Sequence, residues 1–181
     1  MGVRSVEVRN TTREYIVSAI VEHKPGVLFR ISNMFRRRGF NIQSISVGPT
    51  EKKELARITI TVNGDEKLVE QIVKQLRKLI EVIKVSILDP KNTVIRELAL
   101  IKVAAPDYKA KTDIINYAEI FKGRVVDVSR KSMTIEVTGD PDKIDAFINV
   151  MKPYGIKEIA RTGITALPRD GTSNKIEGEK L

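Results

Sequence analysis

Apolar and polar residues alternate along much of the first half of the chain, and two stretches with helical spacing interrupt the alternation. The alternation, rich in β-branched residues, predicts four strands at 14–22, 41–47, 55–62 and 80–88. Apolar positions three and four residues apart predict two helices. One starts with Pro25 in its first turn and stops at Gly39, and the other starts after Asp65. The predicted order is therefore β-α-β-β-α-β.

The second half repeats this order after a short polar linker at 89–92. Strands are predicted at 95–104, 124–128, 133–137 and 156–167, and helices at 108–121, stopped by Gly123, and after Asp140. Each half then forms a split βαβ unit, an antiparallel four-stranded sheet with two helices on one face. The fold class is α+β with two tandem ferredoxin-like units at 14–90 and 91–168, an N-terminal extension at 1–13 and a flexible tail at 169–181.

Neither unit exceeds about 80 residues, and units of this size bury only roughly 60% of the surface of their unfolded chain. The helices cover one face of each sheet, so the other face and the sheet edges need a partner. Self-association is the simplest way to supply one. We therefore expect a homodimer.

Composition excludes several functional classes. The 181 residues include no Cys and a single His, so disulfide scaffolds, thiolate metal sites, iron–sulfur clusters and Cys nucleophiles are excluded. No apolar run approaches the roughly 18 residues of a membrane span. The N-terminus lacks the apolar core of a secretory signal, which predicts a cytoplasmic protein. No acidic pair or phosphate-binding glycine loop marks a catalytic centre, so we expect no enzyme activity.

The net charge of +9 comes from 32 Lys and Arg against 23 Asp and Glu, spread thinly along the chain. The one tight cluster, Arg36–Arg38, lies at the end of a predicted helix, where cations offset the helix dipole. Contact with an acidic partner is the alternative interpretation of this cluster. An RNA-binding module of the same β-α-β-β-α-β order is a further alternative, but the predicted strands at 41–47 and 55–62 carry no aromatic residue for base stacking.

The junction between the first strand and the first helix is the most informative segment. Gly26 has no Cβ to exclude a close neighbour, and the free amides of a helix start favour a carboxylate. Asn41 follows the helix with a side-chain amide that can both donate and accept, and Val27 and Ile42 offer apolar walls. These groups suit a zwitterionic amino acid. The structural alternatives are a rigid turn at Gly26 and a turn supported by Asn41.

Several segments in one order resemble a known family. They are HKPGVLFRISNMFRRRGFNIQSISVGPTE and ARITITVNGDEKLVEQIVKQLRKLIEVIKV in the first unit, and RELALIKV, EIFKGRVVDVS, EVTGDPDKIDAFI and EIARTGITAL in the second. The first unit resembles an ACT domain. The whole chain, over roughly residues 14–168, resembles the small regulatory subunits of acetolactate synthase (acetohydroxyacid synthase).

The resemblance implies a non-catalytic subunit that binds the large catalytic subunit of acetolactate synthase. It implies that the second unit activates that partner, and that valine or another branched-chain amino acid inhibits the complex as feedback in branched-chain amino acid biosynthesis. The chain itself is expected to hold no cofactor, and thiamine diphosphate, Mg and FAD are expected only in the catalytic partner.

In ACT domains the effector lies where the loop between the first strand and the first helix of one chain faces the second strand of the other. By motif, the implied effector-binding residues are His23, Lys24, Pro25, Gly26, Val27 and Leu28 on one side and Asn41 and Ile42 on the other. His23 departs from the family pattern, which more usually has Asn or Asp there. An imidazole changes charge near neutral pH, so we expect effector affinity to vary around pH 6–7 unless His23 is only a solvated loop residue.

Overall fold

The computed structural model describes residues 13–169 and the backbone of residues 175 and 176. Of the predicted N-terminal extension only Arg13 is described, and residues 170–174 and 177–181 of the predicted tail also lie outside the described residues. The chain divides into two compact units at Asp89 and Pro90. The segment Ser44–Ser46 is grouped with the second unit, and residues 175–176 are grouped with the first.

Each unit shows the predicted order of strands and helices. The first contains β1 (Arg13–Glu22), α1 (Val27–Arg38), β2 (Ser44–Pro49), β3 (Leu55–Gly64), α2 (Glu66–Leu76) and β4 (Val82–Leu88). A 3-10 turn at Pro90–Asn92 leads into the second. This unit contains β5 (Thr93–Ala104), α3 (Tyr108–Ile120), β6 (Arg124–Val128), β7 (Ser132–Gly139), α4 (Pro141–Met151), β8 (Ile156–Arg161) and β9 (Thr165–Pro168), and β10 (Lys175–Ile176) follows.

Both sheets have the same strand order. In the first the order is β4-β1-β3-β2, and in the second it is β8-β5-β7-β6. The central pairs, β1 with β3 and β5 with β7, are antiparallel. This is the arrangement of a ferredoxin-like fold, so the predicted α+β class with two such units is confirmed.

Apolar residues at alternate positions of the central strands bury one face of each sheet. On one face of the first sheet Val17 lies opposite Ile60 and Ala19 opposite Ile58, and all four are almost fully buried. In the second unit, buried residues of the two central strands β5 and β7 and of the helices α3 and α4 form one hydrophobic cluster. Its largest fully buried side chains are Phe147, Ile101, Ile114, Met133, Ile135 and Ile144.

Most predicted strands differ from the structure by one or two residues at an end, and two of them differ more. β2 begins at Ser44 rather than at residue 41, because the pairing with β3 begins only where the Gln43 N–H donates to the Thr61 carbonyl at 2.9 Å. The predicted strand at 156–167 is interrupted at 162–164, where Thr162 bonds to the Leu98 backbone. The chain then resumes as β9, which pairs with the start of β5. The predictions that residues 41–43 and 162–164 belong to strands were wrong, because an alternating pattern does not specify which strand is the pairing partner.

Glycine was predicted to end both α1 and α3, and it takes the left-handed conformation at the end of α1 but not at the end of α3. Gly39 ends α1 with a left-handed φ of 68°, and the Phe40 N–H donates to the Phe35 carbonyl at 3.1 Å. At the end of α3, however, Lys122 takes the left-handed conformation, with φ 53°. Gly123 is needed for another reason: an added Cβ would come within 2.9 Å of the Glu136 carbonyl oxygen.

Two residues of the predicted flexible tail, 175 and 176, form β10. The backbone of β10 pairs antiparallel with β4, with Lys175 opposite Ile87 and Ile176 opposite Ser86. The unpaired edge of β4 therefore has a neighbour over two residues. None of the helices within residues 13–169 is long and apolar enough to cross a lipid bilayer.

Candidate effector site

The start of α1 differs from the starts of the other three described α-helices. Asp65, Asp107 and Asp140 cap α2, α3 and α4, and each carboxylate accepts a hydrogen bond of 2.8 Å from a first-turn amide. The N-cap of α1 is Gly26, which has a left-handed φ of 85° and no side chain to bond the amides. Among the described α-helices, α1 alone begins without a side-chain cap.

The amides at this helix start are available to a bound anion. The first intrahelical bond runs from the Arg30 N–H to the Gly26 carbonyl at 3.0 Å, and the Val27 N–H has only a long contact of 3.4 Å with the Lys24 carbonyl. The amides of Leu28 and Phe29 precede the first helical bond and have no intrahelical acceptor. α1 also has no acidic residue in its first turn. The positive end of its dipole is therefore not neutralised from within the helix.

The predicted loop is exposed at the surface of the first unit. His23, Lys24, Pro25 and Gly26 are all exposed, and apart from Gly26 and its chain neighbours no described heavy atom lies within 4 Å of the position that a Cβ on Gly26 would take. The His23 N–H anchors the loop through a 2.7 Å bond to the Glu54 carbonyl. A ligand can therefore approach the loop without displacing any described part of the chain.

Three details of the loop differ from the sequence prediction. Pro25 precedes the N-cap and lies outside the helix, because Gly26 supplies the turn that starts α1. Val27 is 6% exposed, so its side chain belongs to the core of its own unit and offers no wall to a ligand. The exposed apolar side chains here are Leu28 and Phe29, at 44% and 73%. Phe29 was missed because it falls outside the apolar stripe of α1.

Asn41 and Ile42 lie at the other end of the sheet of the first unit. At the end of β1 that leads into the loop, Glu22 pairs with Leu55 of β3. The residue after Ile42, Gln43, instead donates its N–H to the carbonyl of Thr61. Six residues of extended β3 separate Leu55 from Thr61, a distance of about 20 Å. The structure therefore does not bring the two halves of the predicted site together within one chain.

Comparison with known proteins covers both units. The family model described as the AHAS small subunit-like ACT domain matches residues 17–84, and the model described as the small subunit of acetolactate synthase matches residues 96–170. A probable acetolactate synthase small subunit of Methanothermobacter thermautotrophicus is 56% identical over 86% of this chain and 92% of its own length. The chain belongs to the acetolactate synthase small subunit family. The resemblance predicted from the sequence is therefore confirmed.

Other members of the acetolactate synthase small subunit family support the same assignment. A probable small subunit of Archaeoglobus fulgidus is 55% identical over 86% of this chain and 97% of its own length. The crystal structure of the acetolactate synthase small subunit of Thermotoga maritima superposes with a TM-score of 0.82 at 49% identity. That match covers 88% of this chain and 99% of the solved one. Similarity extends through both units and includes the β1–α1 loop, Asn41 and Ile42.

Proposed function

We propose that this chain is the non-catalytic regulatory subunit of an acetolactate synthase. In this role it binds and activates the large catalytic subunit and makes the complex sensitive to valine or another branched-chain amino acid. The observation that carries the proposal is that relatives named as acetolactate synthase small subunits match both units over almost their full length. The name small subunit implies a large catalytic partner, to which thiamine diphosphate, Mg and FAD are assigned in this proposal.

The uncapped start of α1 supports a role in effector binding. The free amides of Leu28 and Phe29 and the positive helix end suit the carboxylate of an amino acid. The side-chain oxygen of Asn41 suits the ammonium group, and Ile42 and Leu28 suit a branched apolar side chain. Each part of a branched-chain amino acid then has a chemically matched partner.

The distance between the two halves of the site supports a dimer. An amino acid cannot bridge about 20 Å within one chain, so the α1 start of one copy must face Asn41 and Ile42 of a second copy. A ligand held by both copies binds the dimer in preference to the monomer, and it stabilises the dimer by mass action. Valine should therefore shift the association equilibrium as well as the activity.

The second unit has its own part in the proposal, the activation of the catalytic subunit. It contains none of the proposed effector residues, and its complete core of buried side chains gives it a structure independent of the effector loop. Activation and inhibition are then separable properties of one chain. A substitution in the α1 loop should change the response to valine and leave activation in place.

Reconstitution with the catalytic subunit tests the proposal. The two purified chains are combined, and acetolactate formation is measured for the catalytic subunit alone, for the complex, and for the complex with increasing valine, leucine or isoleucine. We expect co-purification, higher activity of the complex, and inhibition by at least one of the three amino acids. A failure to co-purify would overturn the regulatory role. An active complex that is insensitive to all three would overturn the effector site alone.

A further inference from the structure

A basic groove lies between α1 and the end of α2, within the first unit. Its volume is about 280 Å³, and its lining consists of Arg30, Asn33, Met34, Arg37, Arg38, Gln75, Lys78 and Leu79. Four of these residues are cations and none is acidic. Met34 and Leu79 give the groove an apolar part, and Asn33 and Gln75 add amide groups. The groove is separate from the predicted effector residues.

The charge of the groove is only partly compensated by the chain. Arg30 forms a 2.7 Å ion pair with Glu81, and Arg38 donates to the Gln75 side-chain oxygen at 3.2 Å. Within the described part of the chain, the exposed side chains of Arg37 and Lys78 make neither a hydrogen bond nor an ion pair. α1 itself carries four arginines and no acidic residue, so it supplies no intrahelical partner.

The helix dipole explains only a part of this arrangement. Cations in the last turn of α1 offset the negative helix end, which stabilises the helix by roughly 0.3–1 kcal/mol for each charge. The dipole does not favour Arg30, which lies in the first turns of α1. It also gives no reason for Lys78, in the turn after α2, to line the same groove as the arginines of α1. An acidic ligand gives such a reason, because every cation in the groove then has a partner.

We propose that the basic groove docks an acidic segment of the catalytic subunit. This inference rests on the proposed function, which supplies the partner. Arg30 and Arg38 are eight residues apart on α1, a span of about 12 Å. An extended peptide of about four residues has the same length, and two of its carboxylates would reach Arg37 and Lys78. Aliphatic parts of the peptide would pack on Met34 and Leu79.

The groove favours a peptide over a small anion or RNA. Small phosphate-bearing ligands are typically held by convergent backbone amides at helix starts or turns. The groove lies along α1 from Arg30 onward, where the amides are bonded within the helix. Single-stranded RNA is typically held by aromatic side chains that stack with bases, and none lines the groove. A carboxylate-rich segment needs only the side-chain cations that are present.

The test uses the full-length chain and the purified catalytic subunit. Arg37→Glu combined with Lys78→Glu reverses the two unpaired charges. The matched control, Lys53→Glu combined with Lys67→Glu, makes the same change of net charge at exposed lysines outside the groove. A milder pair, Arg37→Gln with Lys78→Gln, replaces the first if circular dichroism shows loss of folding. The dissociation constant is measured by biolayer interferometry at low and physiological salt, and binding to polyuridylate RNA is measured in parallel.

We expect the groove variant to bind the catalytic subunit at least about tenfold more weakly, with a smaller dependence on salt, and the control to bind like wild type. Equal weakening in groove variant and control would show that only net charge matters and would overturn the proposal. Wild-type affinity in the groove variant would also overturn it. A groove variant that loses RNA binding but keeps its affinity for the catalytic subunit would overturn it as well. Wild-type protein that does not bind the catalytic subunit would overturn the proposed function as well, so the two failures are distinguishable.

Discussion

Substitution of Gly26 by Asp tests the proposed carboxylate site most directly. The change adds a carboxylate to the N-cap of α1, where apart from residue 26 and its chain neighbours no described heavy atom lies within 4 Å of the new Cβ. The left-handed φ of 85° costs the folded state on the order of 1–2 kcal/mol for an ordinary side chain, and less for Asp, which visits this region more readily. The variant should therefore fold.

The expected loss of effector affinity can be estimated from electrostatics. The new carboxylate and the carboxylate of bound valine would both lie beside the first-turn amides of α1, about 5 Å apart. At an effective dielectric constant of about 20, two like charges at that distance repel by about 3 kcal/mol. This corresponds to an affinity lower by about 100-fold or more. Inhibition by valine should disappear at concentrations that inhibit the wild-type complex.

The assay combines calorimetry of valine binding with inhibition of the reconstituted complex. Gly26→Asn is the matched control, because Asn has the shape of Asp, tolerates a left-handed φ and carries no charge. We expect the Asn variant to retain more affinity than the Asp variant, and both variants to activate the catalytic subunit normally. Normal valine sensitivity in Gly26→Asp would refute the assignment of the carboxylate site. Equal losses in both variants would refute the electrostatic reasoning.

Two further predictions concern single residues. Arg161→Met should lower the free energy of unfolding by about 3 kcal/mol, because Glu97, with a side chain 7% exposed, loses its ion-pair partner; an unchanged urea midpoint would contradict this. Gly123→Ala should lower the free energy of unfolding by about 1–3 kcal/mol, because its Cβ would lie 2.9 Å from a carbonyl oxygen of β7. Gly48→Ala, whose Cβ would meet open space, should lower it little.

The contribution of Arg161 should also be constant across neutral pH. Burial by itself lowers the pKa of this guanidinium, but hydrogen bonds to Glu97 and Asp145 raise its pKa overall. A raised folded-state pKa gives stability that is complete below the unfolded-state pKa and is lost only as the pH rises through the folded value. Both values lie far above neutral. The stability of the wild-type protein should therefore show no titration of Arg161 between pH 6 and pH 9.

Local signals accounted for most of the secondary structure. Asp65 and Asp140 were recognised as helix starts because a short carboxylate bonds first-turn amides wherever it precedes a helix. Gly39 was recognised as a helix stop because glycine takes a left-handed φ at little cost. The role of Lys122 could not be predicted in the same way. Gly123 packs against Glu136 of β7, 13 residues further along the chain, and local sequence patterns do not specify such a contact.

The sequence predicts the loop between β1 and α1 as the candidate effector site, but it does not predict the geometry of this loop. Gly26 and the absence of a capping side chain are visible in the sequence, and so is the apolar character of Val27. Only the packed structure shows that Val27 turns into its own core and leaves Leu28 and Phe29 at the surface. Helical spacing alone cannot decide this, because the direction in which α1 faces the sheet sets which of the adjacent apolar residues is buried.

The amino-acid sequence by itself determined the repeated β-α-β-β-α-β order, the helix starts and stops and the position of the loop between β1 and α1, because each depends on residues close together in the chain. The tertiary structure decided which strands are neighbours, where β2 begins, that 156–167 forms two strands, and that Asn41 lies about 20 Å from the loop along the sheet. It also decided that arginines of α1 and Lys78 line one groove. These features depend on contacts between residues far apart in sequence, which local patterns of polarity do not specify.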